Sequence, residues 1–298
     1  MDPKVNVAVI GGDARYLEMI RQLTRNPDVE LLLTGFEQLN QGFTGAKQVE
    51  FEDLKLNELH AIILPVPGMD SEGYIETVFS NKKIQLKEKW FQQLPENCLV
   101  FSGIATPALT SYTDKAGIKL IPLFNRDDVA IYNSIPTVEG TIMMAIQHTD
   151  FTIHSSKVIV LGFGRVGMTL ASKFAAIGAD VWVGTRYKEE MARITEMGLT
   201  PFHIDELSEI SPECDILLNT VPALVVTKEV IRPMKSHSVI IDLASKPGGT
   251  DFKFAEQRGI KALPAPGLPG IVAPKTAGEI LGNVVSQILK EHQQEGSK

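Results

Sequence analysis

The stretch 157–186, KVIVLGFGRVGMTLASKFAAIGADVWVGTR, limits the fold of this chain more than any other. A short apolar run, Val158-Ile159-Val160-Leu161, turns through Gly162, Gly164 and Gly167 into a helical pattern with Val166, Leu170, Phe174 and Ile177 on one face. Gly162 lets the chain leave the strand sharply, Gly164 offers bare backbone to a pyrophosphate, and Gly167 lets helix and strand pack closely. Phe163, Arg165 and Val166 complete the loop, and the helix N-terminus supplies unpaired N–H groups to phosphates. The glycine spacing alone is a weak signal. A second apolar run at 180–184 follows at the distance a βαβ unit of about thirty residues requires, and it makes the signal strong.

The end of that second strand reads Gly184-Thr185-Arg186. A site for NAD usually carries an acidic residue there, which accepts from the ribose 2′-hydroxyl. Arg186 offers a fork of donors suited to a 2′-phosphate, with the Thr185 hydroxyl and the Lys188 charge nearby, so the expected cofactor is NADP rather than NAD.

At 298 residues two domains are the default. With 44% hydrophobic and 22% charged residues, two sizeable cores are within reach. A net charge of −7 argues against nucleic acid or an anionic membrane as partner. Cys98 and Cys214 are far apart in sequence with no clustered histidines, so no metal site and no disulfide framework is expected, and a reducing cytoplasm fits. The apolar run near the N-terminus follows a single basic residue and ends in glycines, which reads as a first strand and not a leader.

Strand patterns at 5–10, 31–34, 61–65, 98–101 and 119–123 alternate with helical ones at 14–25, 87–94 and 106–116. The expected fold class is α/β: two doubly wound parallel-sheet domains, the second a dinucleotide-binding Rossmann domain. The expected division is a flavodoxin-like substrate domain over 1–130, a connecting helix within 131–150, the NADP-binding domain over 151–275, and a C-terminal helix with a polar tail over 276–298, packing at the junction. That last helix also hints at a homo-oligomer.

Ligands of such sheets sit beyond the carboxyl ends of the strands. The loops expected to line the cofactor are therefore Thr220-Val221-Pro222, Leu243-Ala244-Ser245 and Pro266-Gly267. For the chemistry, Lys246 and Ser245 follow the fifth strand of the second domain. Glu139 sits with Gly140 in the expected first turn of the connecting helix, and Asp13 and Arg15 follow the first strand, where Arg15 has Glu18 as an alternative ion-pair partner. His203 and His237 are expected to be structural or on the surface.

Taken together, VAVIGGDARYLEMI, NSIPTVEGTIMMAI, VIVLGFGRVG with VGTR, NTVPALV and IDLASKPGGTDF continuing to LPAPGLPGIVAPKTAG resemble the A subunits of bacterial dipicolinate synthase, over nearly the whole chain. The domain plan is also similar to that of adenosylhomocysteinases and D-2-hydroxyacid dehydrogenases. The resemblance implies oxidation of a dihydro- or hydroxytetrahydro-dipicolinate to dipicolinate in the mother cell of a sporulating bacterium, together with a flavoprotein B subunit. A dicarboxylate substrate calls for cations, which makes Arg15 and Lys246 attractive. Two other readings stand beside this one: a lyase or hydrolase that retains its dinucleotide, and a non-catalytic subunit that presents substrate or cofactor.

Overall fold

The computed structural model describes residues 4–39 and 42–296. The chain divides into two compact units, one running to Tyr132 and resuming at Ala273, the other spanning Asn133–Val272.

In the first unit the elements run β1 (Val5–Ile10), α1 (Ala14–Leu23), β2 (Val29–Thr34), β3 (Ala46–Gln48), β4 (Ala61–Ile63), α2 (Glu88–Phe91), β5 (Leu99–Ser102), α3 (Pro107–Ala116) and β6 (Lys119–Pro122). They form one parallel sheet in the order β3-β2-β1-β4-β5-β6. Val7, Val9, Ala61 and Ile63 face one core, while Ala8, Ile10, Ile62 and Val100 face the other, which is why these strands are nearly continuous apolar runs. The sequence pattern predicts only five of these strands. The sixth, β3, is three residues long and not apolar, so it carries no periodicity to read. Its presence at the edge gives the order of a dinucleotide-binding sheet in place of the expected flavodoxin-like one.

A helix, α4 (Asp127–His148), leads from the first unit into the second. It starts well before the pattern around Pro136 suggests, because Asp127 and Asp128 occupy its first turn, where the helix dipole favours negative charge. Pro136 lies inside it and can donate no bond to the carbonyl four residues back.

The second unit contains β7 (Lys157–Leu161), α5 (Arg165–Ala176), β8 (Asp180–Thr185), α6 (Lys188–Glu196), β9 (Thr200–His203), α7 (Leu207–Ile210), β10 (Ile216–Asn219), α8 (Lys228–Ile231), β11 (Val239–Asp242), α9 (Phe252–Arg258), β12 (Lys261–Pro264) and α10 (Leu268–Val272). Its parallel sheet has the order β12-β11-β10-β7-β8-β9. The chain moves outward from β7 to β9, then returns to the other side of β7 with β10, so the crevice between β7 and β10 is the topological switch point.

The final helix, α11 (Pro274–Gly296), belongs to the first unit and packs along α1. Two glycines one turn apart permit this. A Cβ on Gly278 would lie 2.1 Å from the Arg15 carbonyl oxygen, and one on Gly282 would lie 2.5 Å from Gln22 Oε1. The helix continues through most of the expected polar tail, and residues 297 and 298 lie outside those described.

Candidate dinucleotide site

The glycine turn between β7 and α5 separates into residues the protein needs for itself and one it does not. Gly162 has a φ of 87°, and a Cβ there would lie 2.6 Å from Thr220 Oγ1. A Cβ on Gly167 would lie 2.1 Å from the Gly162 carbonyl oxygen. Both positions therefore demand glycine for folding. Gly164 has an ordinary φ of −76°, and a Cβ there would meet nothing within 4 Å. Its smallness serves no contact inside the chain. It is the N-cap of α5 and, being glycine, brings no side-chain hydrogen bond to that helix's first N–H groups. Bare backbone at a helix N-terminus is the arrangement that fits a pyrophosphate. Phe163 turns its ring into the core, so it presents backbone alone, while Val166 packs partly on the same core. Arg165 is exposed on the first turn of α5.

The other expected cofactor residues fall at the carboxyl ends of the same sheet. Thr220 follows β10 and donates from Oγ1 to the Leu161 carbonyl at 2.7 Å, locking its loop onto the glycine turn. Val221 is half-buried and Pro222 exposed beside it. Leu243 and Ala244 follow β11, and Pro266 and exposed Gly267 follow β12. Arg186 and Lys188 are exposed just past β8. Arg186 borders a groove of about 280 Å³ shared with Ser208, Leu224 and Thr227.

Sequence reasoning misses two features of this sheet end. The first is a carboxylate. Thr185 is buried, at 3% exposure, and its Oγ1 donates to Glu190 Oε2 while accepting from the Tyr187 N–H at 3.2 Å. Glu190 lies in the first turn of α6, five residues beyond the end of β8 where an acidic residue is usual, and the fold returns it to that strand end. The second is the pair Asn219 and Asp242, both buried at the ends of β10 and β11. Asp242 Oδ1 accepts from Asn219 Nδ2 at 3.0 Å and from the Ala244 N–H at 3.0 Å, and its Oδ2 accepts from the Gly249 N–H at 2.9 Å. Asn219 also exchanges bonds with the backbone of Val221. This network shapes the loop 243–249, on which Ser245 and Lys246 are exposed. A single Asn or Asp ending an apolar strand carries no sequence signal of such pairing.

Of the remaining catalytic candidates, Glu139 stands exposed in the middle of α4 and not in a first turn, because the helix begins at Asp127. Gly140 beside it is buried under Leu268 and Val272 of α10, so its smallness serves packing. Asp13 and Arg15 lie in the first unit, after β1. Asp13 caps α1 and binds the Arg15 guanidinium through both carboxylate oxygens, whereas Glu18 pairs with Arg21. The segment after β4 returns over this turn, where the Gly12 N–H donates to the Glu76 carbonyl at 2.9 Å. Burial, with the Asp13 charge adding to it, holds the Glu76 carboxyl above its ordinary range.

His203 is half-exposed beside Asp205, and His237 meets Asp215 at the amino end of β10, away from the strand ends that carry the candidate residues. Burial raises the thiols of Cys98 and Cys214 to about 12, which keeps both protonated and inert at neutral pH. Among the described residues no three His, Cys, Asp or Glu side chains converge as metal ligands, and no helix is long and apolar enough to cross a membrane.

Comparison with known proteins agrees with this geometry. Residues 6–124 match the N-terminal domain of the dipicolinate synthase A subunit, and residues 131–298 match the alanine dehydrogenase/PNT C-terminal domain. The A subunit of dipicolinate synthase from Bacillus subtilis is 55% identical over 294 residues, covering 99% of both chains. The crystal structure of that protein superposes with a TM-score of 0.94 over 99% of each chain. The crystal structure of its counterpart from Bacillus halodurans, 52% identical, superposes with a TM-score of 0.93 over 97% of this chain and 99% of that one. An L-alanine dehydrogenase shares the fold at 17% identity, with a TM-score of 0.61 over 98% of this chain and 91% of that one. The glycine turn, the switch-point crevice and a match spanning both units together place this chain in the family of dipicolinate synthase A subunits.

Proposed function

We propose that the chain oxidises a dihydro- or hydroxytetrahydro-dipicolinate to dipicolinate with a nicotinamide dinucleotide, NADP in preference to NAD, as one half of a two-part synthase whose other half is a flavoprotein. The observation that carries this reading is the glycine turn, in which Gly164 alone has no internal reason to be glycine.

Bound there, the cofactor supplies a hydride acceptor. The dihydropyridine ring gives up one hydride and one proton and becomes aromatic; the hydroxytetrahydro ring loses water as well. The chain's own tasks are to hold the phosphates at the α5 N-terminus and to hold the substrate carboxylates. The loop 243–249 offers Lys246 as a cation for one carboxylate and Ser245 as a hydrogen-bond donor, with its shape set by Asp242. Arg15, the other cation singled out by the sequence, is already engaged by both carboxylate oxygens of Asp13, so a substrate carboxylate has to displace Asp13 to use it. The exposed Arg186 supports a 2′-phosphate on the adenosine.

The test is absorbance of reduced cofactor on mixing the purified chain, without a partner, with freshly made hydroxytetrahydrodipicolinate and either NADP or NAD. The expected result is reduction of NADP together with formation of dipicolinate. Binding of the dinucleotide without net reduction would overturn the dehydrogenase reading in favour of a retained cofactor or a presenting role. Lys246→Ala is expected to lose at least tenfold in kcat/KM, about the contribution of one charged contact, and unchanged turnover would remove Lys246 from the chemistry.

A further inference from the structure

At the end of β8 two opposite charges stand within five residues of each other. Arg186 is exposed, and among the described residues it pairs with no carboxylate. Glu190 is half-buried, and its carboxylate is engaged by the buried hydroxyl of Thr185. The position is tied to the glycine turn, since the Gly162 N–H donates to the Gly184 carbonyl at 2.9 Å, one residue before Thr185. A dinucleotide whose pyrophosphate rests on α5 brings its adenosine ribose to this strand end. A free carboxylate there accepts from a 2′-hydroxyl and repels a 2′-phosphate. A carboxylate already accepting a hydrogen bond from Thr185 does the first less well.

We propose that Glu190 is the specificity-determining residue for the adenosine 2′ group, and that Thr185 holds its carboxylate so that Arg186 can take a 2′-phosphate. This rests on the dinucleotide reading given above and adds to it the residue that sets the choice of cofactor. Glu190 acts against NADP, Arg186 acts for it, and the Thr185 hydroxyl decides how strongly Glu190 is felt. The bland alternative is that the pair only closes the β8–α6 loop, in which case both cofactors depend on it equally.

Calorimetric titration of the full chain with NADP and with NAD separates the two. Glu190→Gln keeps the shape and removes the charge, and the ratio of the two dissociation constants is expected to move toward NADP by about tenfold, the effect of one charge close to a phosphate. Thr185→Val keeps the volume and removes the donor, and the ratio is expected to move toward NAD by a similar factor. In the Glu190→Gln background the Thr185→Val effect on the ratio disappears, because no charge remains to be held. Equal weakening of both cofactors by either substitution would overturn the proposal, as would a Thr185→Val effect that persists in the double variant. A wild-type chain that binds neither cofactor would instead overturn the dinucleotide reading on which the proposal rests.

Discussion

Asp242 carries an unusual share of the site for one side chain. It is 4% exposed, ends β11, and forms no ion pair among the described residues; its carboxylate accepts from three N–H donors, two of them from the loop it organises. Charge-assisted bonds of this kind are stronger than neutral ones, and a buried donor left without an acceptor costs about 1–3 kcal/mol. In Asp242→Ala one N–H of the Asn219 amide loses its acceptor in the core, the other keeping the Val221 carbonyl, while the Ala244 and Gly249 N–H groups can reach water if the loop moves. Urea denaturation is expected to show a loss of about 2–4 kcal/mol, and Asp242→Asn, which keeps one acceptor, a smaller one. A loss below about 0.5 kcal/mol, within the range of ordinary surface substitutions, would mean the loop keeps its shape without the carboxylate. The residues legible in the sequence are those whose type alone states a backbone requirement, such as Gly162 and Gly167. Asp242 and Glu190 are not legible, because what they do depends on which strand end or helix turn lies opposite, and that is settled only by the assembled sheet.

At the scale of the element, the β7–α5 turn is the most legible part of the chain, since a strand, a glycine turn and a helix in that order leave few alternatives. β3 is the least, because three residues at a sheet edge with no apolar pattern owe their conformation to Leu31–Leu33 beside them and not to their own sequence. The turn also separates folding from binding experimentally. Gly167→Val drives a side chain into the Gly162 carbonyl, where a Cβ already stands 2.1 Å away, so this variant is expected to lose at least about 3 kcal/mol or fail to fold. A Cβ on Gly164 meets nothing within 4 Å and the backbone there has an ordinary φ, so the melting temperature of Gly164→Val is expected to stay within about 2 °C of wild type. Its affinity for a dinucleotide is expected to fall at least about a hundredfold, because the branched side chain fills the place of the pyrophosphate. A folded Gly164→Val chain that binds NADP as tightly as wild type would move the cofactor elsewhere.

For the whole molecule the consequential fact is that the first unit is discontinuous. The chain builds β1 to β6 and α1 to α3 of it, crosses to the second unit along α4, completes that unit through α10, and only then supplies α11. The sequence reading expects the last helix at the junction of the two domains, whereas in the structure it belongs to the first unit. The reason lies in Gly278 and Gly282, which bring the α11 backbone against α1 and set Leu281, Val284, Val285 and Leu289 into the first unit's core. Burying four such side chains is worth about 6–12 kcal/mol, as much as the entire stability of an ordinary domain. A chain ending at residue 272 is therefore expected to have an unfolded or molten first unit, with the α1 surface at Arg15, Glu18 and Gln22 uncovered, while the second unit keeps every residue of its sheet. Far-UV circular dichroism should fall by more than the helix removed, and proteolysis should digest the first 130 or so residues while sparing a fragment from about 133 to 272. That fragment, which carries the whole glycine turn, should still bind the dinucleotide. Protection of the first unit in the truncated chain would show that β1 to β6 and their helices close a core without α11, and that the last helix is an addition to that core and not part of it.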